Sequence, residues 1–156
     1  MADVPKVAVF GPDPMLSIAI EPRGEEGDDI HLHAAGQGVW VARMAAELGA
    51  RPVLCGFAGG ETGAVLRHLL AQLPIDLRLV ETAADSGAYL HDRRSGERQP
   101  VAQSAAALAV CNPYPGEALP LEIYGNLVAD VRANGTPVLV DLSSPRLDSA
   151  LEGAPD

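Results

Sequence analysis

Apolar and polar positions change period several times along the chain, and each change marks a different element. Lys6 to Phe10, KVAVF, is a short apolar run stopped by Gly11-Pro12-Asp13-Pro14, which predicts a strand and an abrupt turn. Ser17–Ile20 and Asp29–His33 flank the acidic turn Gly24-Glu25-Glu26-Gly27-Asp28 and predict an antiparallel hairpin. Val39–Leu48 reads as a helix closed by Leu48-Gly49, followed by a buried strand at Pro52–Phe57. From about Glu61 to Leu73, Val65, Leu66, Leu69, Leu70 and Leu73 recur at helical spacing. A strand at Asp76–Val80 and a second hairpin over Ser86–Gln103, turning at Ser95-Gly96-Glu97, come next. Ala105–Cys111 predicts another buried strand, Leu121–Asn134 an amphipathic helix, Pro137–Asp141 a strand of parallel type, and Pro145 the start of a last helix. Strands alternating with helices imply an α/β fold: an open, mainly parallel sheet flanked by helices, with a small antiparallel β part.

Composition narrows the class. At 156 residues, 47% hydrophobic, the chain is one domain's worth with enough apolar surface for a core. Aromatic residues are only 4%, so that core is built from Ala, Val and Leu. The net charge of −10 argues against nucleic acid or an anionic membrane as partner, since both want a basic surface. Cys55 and Cys111 each end an apolar run and are expected as buried free thiols. The start lacks the basic n-region of a signal peptide, and no segment reaches the about 18 apolar residues of a membrane span, so a cytoplasmic location is expected. His31 and His33 share a strand face, but nothing nearby supplies a third metal ligand, and no metal role is expected.

The chemistry concentrates between Ala34 and Gly63. Gly36-Gln37-Gly38 leads into a helix, and Gly59-Gly60 opens a second. Gly-x-Gly at a helix entrance lets backbone approach a ligand and aims unpaired N–H groups at it, which suits an anion. Spacing alone is weak here, because many tight turns carry two glycines and bind nothing.

Taken whole, this stretch resembles the first signature of the ribokinase-like, phosphofructokinase-B type carbohydrate kinases. Gly36, Gly38, Val41, Ala42, Arg43, Leu48, Gly49, Gly56, Gly60 and Gly63 hold the pattern, whereas Ala35 stands for a Gly, Gln37 for a Lys and Trp40 for an Asn. The resemblance implies a ribokinase-like fold in which residues 1–156 form the N-terminal portion, with lid strands at about 17–33 and 86–103. It places Ser17 at a sugar-holding Asp, Asp13 at an Asn of the same segment and Asn112 at a substrate-contacting Ser. Substrate contacts are therefore expected from Asp13, Ser17, Gly36, Gln37, Gly38, Trp40 and Asn112, with no catalytic residue in the chain. Asp13 has a second reading as a turn cap, and Trp40 as a core residue of its helix. The family's phosphate-binding Thr-Arg corresponds to Ser86-Gly87, and Asp141-Leu142-Ser143-Ser144 is similar to its Asp-Thr-Ser-Gly.

The resemblance implies transfer of a phosphoryl group from ATP, with Mg²⁺, to a sugar hydroxyl, and a homodimer paired through the lid. Such transfer needs a positioned γ-phosphate, Mg²⁺ and a base. The family's Gly-Ala-Gly-Asp occurs nowhere in these residues, nor does a Walker A motif. The expectation is thus a sugar or sugar-phosphate binding portion of a kinase, inactive as it stands, with the nucleotide half absent. A non-catalytic relative that binds a metabolite or a protein partner is the alternative, favoured by Ser17, Gln37, Trp40 and Gly87. Loss of Lys and Arg from the phosphate-holding positions predicts that unphosphorylated sugars or nucleosides compete well there. Arg93, Arg94 and Arg98 on the second hairpin are the cations that could offset this, but a solvated hairpin tip is the favoured account of them.

Overall fold

The structure is a computed structural model and describes residues 4–104, 119–142 and 144–156. The strand expected at 105–111, together with Cys111, Asn112 and Ser143, lies outside those residues. The chain divides into two compact units, Met1–Val110 and Cys111–Asp156.

The first unit contains two sheets. β1 (Lys6–Phe10), β4 (Arg51–Gly59) and β5 (Asp76–Thr82) form a parallel sheet in the order β1-β4-β5. Its parallel register, Val9 opposite Leu54 and Leu54 opposite Leu77, is bridged by two helices, α1 (Gln37–Glu47) and α2 (Gly60–Leu70). The second sheet takes β2 (Met15–Pro22), β3 (Asp28–Ala35), β6 (Ala88–Asp92) and β7 (Gln99–Ser104) in the order β3-β2-β6-β7. Both expected hairpins are present, β2 antiparallel to β3 and β6 antiparallel to β7. A parallel pairing of β2 with β6 joins them, making the sheet mixed.

The core is aliphatic, as a chain so poor in aromatic residues requires. Leu54, Leu66, Leu70 and Val39 are its largest fully buried side chains. Leu16 and Ala34, from the second sheet, join them, which ties the two sheets through one cluster. Each buried leucine contributes on the order of 1.5–3 kcal/mol of apolar transfer.

In the second unit, α3 (Glu122–Ala133) and α4 (Arg146–Glu152) pack with Tyr124, Val128 and Ala150 buried. Pro137–Asp141 is not a strand. A lone apolar run becomes a strand only against a pairing edge, and none of the described residues supplies one. Leu139 accordingly stands 93% exposed, and Val138 is held only by exchange with Asp156.

A three-glycine contact sets where α1 begins. A Cβ on Gly38 would lie 2.6 Å from the Gly11 Cα, and one on Gly56 would lie 2.3 Å from the Gly11 carbonyl oxygen. The turn after β1, the entrance of α1 and the middle of β4 therefore meet backbone to backbone. Gly56→Ala is expected to destabilise the first unit by about 2 kcal/mol or more through overpacking. Urea unfolding of the two proteins measures it, and an unchanged midpoint would contradict the contact.

Candidate functional site

The two glycine turns have different fates. At Gly59-Gly60 the chain closes on itself: the Gly59 N–H donates to the Ser86 hydroxyl at 3.1 Å, and the Ser86 N–H donates to the Gly59 carbonyl at 3.0 Å. Asp85 occupies the space a Gly60 side chain would need. The start of α2 is thus filled by residues 84–86, and the Ser86 hydroxyl accepts the Gly59 N–H in holding that turn.

At Gly36-Gln37-Gly38 the start of α1 stays open. Gly36 has φ +106°, a left-handed backbone that glycine adopts without strain, and a Cβ there would sit 3.0 Å from the Asp13 carbonyl oxygen. Asp13 is half-buried in the turn that rests on Gly36. Gly38 faces Gly11, so its missing side chain serves backbone packing. Gly36 and Gln37 face the other way and line a cleft of about 560 Å³, within the usual range for a small-molecule site.

α1 forms one wall of that cleft, with Gln37, Trp40 and Val41, and the second sheet forms the other, with Tyr89, His91, Arg98 and Gln103. Trp40 is 54% exposed and carries the Arg43 guanidinium 4.8 Å from its ring centre, which rules out its reading as a core residue. Ser17 is buried on β2, level with His33 on one side and Tyr89 on the other, one strand from the cleft wall. Asn112 falls outside the described residues. Of the expected contacts the cleft thus gathers Gly36, Gln37 and Trp40, while Asp13, Ser17 and Gly38 support its edges. Cys55, expected as a buried thiol, is half-buried and free.

Sequence reading passed over Tyr89 and His91. The signal was present, because residues at i and i+2 on a strand share a face, and cross-strand register sets Tyr89 beside Ser17 and His91 beside Ala19. A register shift between Leu90 and His91 against β7 adds a bulge at this point. Bulges re-aim side chains next to functional clefts. The two rings stack, 5.4 Å between centres and 21° between planes.

The hairpin arginines separate. Arg93 pairs with Glu21 at 2.9 Å, and Arg94 bridges Asp92 at 2.6 Å and Asp28 at 3.0 Å. Hydrogen bonds from the Arg94 side chain and backbone hold the Asp92 carboxyl down to about 2. Arg98 instead lies over the Tyr89 ring, 5.3 Å from its centre, at the cleft. His91 is held below its ordinary 6.5, first by burial and then by the charges of Arg98 and Arg93.

A pfkB family carbohydrate kinase model matches residues 5–134. The chain belongs to the pfkB family. No curated protein matches it. Among solved structures, Escherichia coli phosphofructokinase-2 in complex with substrates and products superposes with a TM-score of 0.73 at 24% identity, over 94% of this chain and 57% of that one. A Thermotoga maritima protein titled a possible 1-phosphofructokinase superposes at 0.75 with 17% identity, over 96% and 57%. These likenesses show the ribokinase-like fold, and the pfkB chain spans under three-fifths of the length of either structure.

Family members generally use ATP and Mg²⁺. Among the described residues, no group of three or more His, Cys, Asp or Glu could hold a metal ion by itself. No described helix is long and apolar enough to cross a membrane.

The His91 environment yields a pH prediction. With its folded value lowered, the native state binds fewer protons than the unfolded chain at mildly acidic pH. Stability from neutral His91 is therefore complete above pH 6.5 and is lost as pH falls below it toward the lowered value. Between about pH 7 and about pH 5.5 the melting temperature of His91→Gln should fall less than that of the wild type. Parallel melting curves at the two values would refute the burial argument.

Proposed function

We propose that residues 1–104 form the sugar-receiving part of a carbohydrate kinase, with the cleft between α1 and the second sheet as the place where the sugar binds. The observation that carries this reading is the open start of α1: Gly36 and Gln37 present a helix N-terminus to a cleft whose other wall is a four-stranded mixed sheet. Exposed N–H groups and Gln37 offer donors to sugar oxygens, and Trp40 offers a flat apolar face to the carbon side of the ring. Asp13, Ser17 and Gly38 belong to the same proposed site as supporting groups. The second sheet serves as the lid, covering the ligand.

In this reading the acceptor hydroxyl receives a phosphoryl group from ATP with Mg²⁺. The chain's own residues bind and orient the sugar and exclude water from it. A homodimer through the lid fits the exposure of Ile30 (64%) and Leu32 (43%) on the edge strand β3. The compartment that suits such a protein is the cytoplasm.

One observation favours a second reading, a non-catalytic relative that retains only binding. Ser86, at the family's phosphate-holding Thr, is buried and accepts the Gly59 N–H, and Gly87 supplies no guanidinium. A phosphotransfer assay of the full-length gene product over fructose phosphates, tagatose phosphate, ribose and nucleosides separates the two: turnover supports the kinase, and binding without turnover supports the relative.

Sugar binding itself is measurable with this chain. The sole tryptophan, Trp40, lines the cleft, so its fluorescence reports ligand entry. Fructose or ribose should shift that emission, and Trp40→Ala should weaken the same binding by about fivefold in calorimetry, the worth of one lost ring contact. Unchanged affinity in Trp40→Ala would remove the cleft from the proposal.

A further inference from the structure

We propose that His31 and His33, side by side on one face of β3, form a two-histidine chelate for a borderline divalent transition ion such as Zn²⁺ or Ni²⁺, with water completing its coordination. Neither histidine lines the α1 cleft, so the inference is independent of the sugar-binding reading.

The spacing comes from the strand. Residues at i and i+2 point to the same face about 6.7 Å apart. β3 is regular here, with His31 opposite Ala19 and His33 opposite Ser17 in an unbroken antiparallel ladder with β2. The two rings follow that spacing, their centres 6.1 Å apart and their planes within 17° of parallel. An ion held by both needs a nitrogen from each at about 2.0–2.1 Å, which brings the two nitrogens within about 4 Å of one another. Rings placed like this reach that separation by turning about their own side-chain bonds, with the backbone still.

Both side chains are exposed, and among the described residues neither ring makes a hydrogen bond or an ion pair. The other two histidines are differently placed: His68 meets the Gln72 side chain at 3.0 Å, and His91 is buried in its stack with Tyr89. The surrounding field favours a cation, since the chain carries a net charge of −10. Asp29, two residues before His31, shares the same face and adds a carboxylate beside the pair. Its contact with Arg23, 3.6 Å between exposed groups, is weak.

Ligand type then selects the ion. Neutral imidazole suits Zn²⁺, Ni²⁺ and Cu²⁺, whereas Mg²⁺ and Ca²⁺ take oxygen ligands. Carboxylates spread over an acidic surface would favour the second group, so a preference for Zn²⁺ over Mg²⁺ separates the chelate from general attraction to the charge. The expectation drawn from the sequence counted protein ligands and found no third. Two nitrogens with water in the remaining positions make an open site that needs none.

The test titrates zinc, nickel and magnesium chloride into the 156-residue chain at fixed ionic strength, reading heat, and follows the histidine ring signals by NMR with Zn²⁺. One Zn²⁺ per chain is expected, and the ring signals of His31 and His33 should move while those of His68 and His91 stay. His31→Gln and His33→Gln, both at exposed positions, should each weaken Zn²⁺ binding by about tenfold or more, at least the cost of losing an outer-shell partner. His68→Gln, on α2, should stay within about twofold of the wild type. An excess of Mg²⁺ of about a hundredfold should displace no Zn²⁺. Zn²⁺ binding that survives in the double variant, or that Mg²⁺ displaces, would overturn the proposal. Ring shifts confined to His68 or His91 in the wild-type chain would overturn it as well, whatever the variants do.

Discussion

The contact on which the first unit depends is the approach of three backbones at Gly11, Gly38 and Gly56. Side chains at these positions would occupy space already filled by main-chain atoms. Because the turn after β1 lies against the entrance of α1, the first helical N–H groups emerge next to a cleft instead of beneath packed side chains. The nearby Leu54, fully buried, seals the inner side of the same junction. Overpacking at such a point is absorbed by no flexible group, so the position of the helix start and the soundness of the fold are one constraint.

From that junction the cleft inherits an asymmetry. Its α1 wall offers backbone donors, an amide and an indole, while its sheet wall offers two stacked rings and a guanidinium. The parallel pairing of β2 with β6 brings the second wall into place, since it sets Tyr89 level with Ser17 and His91 level with Ala19. A register change of one residue there would turn both rings to the opposite face. The bulge between Leu90 and His91 shows that the ladder is interrupted at this wall and nowhere else along the β6–β7 pairing.

The resemblance to pfkB kinases carried the framework further than it carried the contacts. Glycines, the Val41-Ala42-Arg43 segment and the Leu48-Gly49 stop survive because they answer to backbone geometry, which any member of the fold must satisfy. Gln37 and Trp40, which depart from the pattern, line the cleft. Two glycine turns that look alike in sequence divide in the same way: one is stopped by Asp85 and Ser86, a segment more than twenty residues downstream, and the other is left open.

By itself the sequence determined the helices α1 to α3 and the parallel sheet strands β1, β4 and β5 through local periods of apolar residues, and both hairpins and the start of α4 through their Gly, Pro and polar turn residues. It also carried the family, through glycines whose spacing reflects backbone needs. Only tertiary structure decided that Trp40 faces a cleft, that Arg98 parts company with Arg93 and Arg94, and that His91 is buried beside it. It decided as well that Pro137–Asp141 remains outside any described sheet. These outcomes depend on which distant segment lies opposite, and periodicity records what a residue prefers without recording its partner.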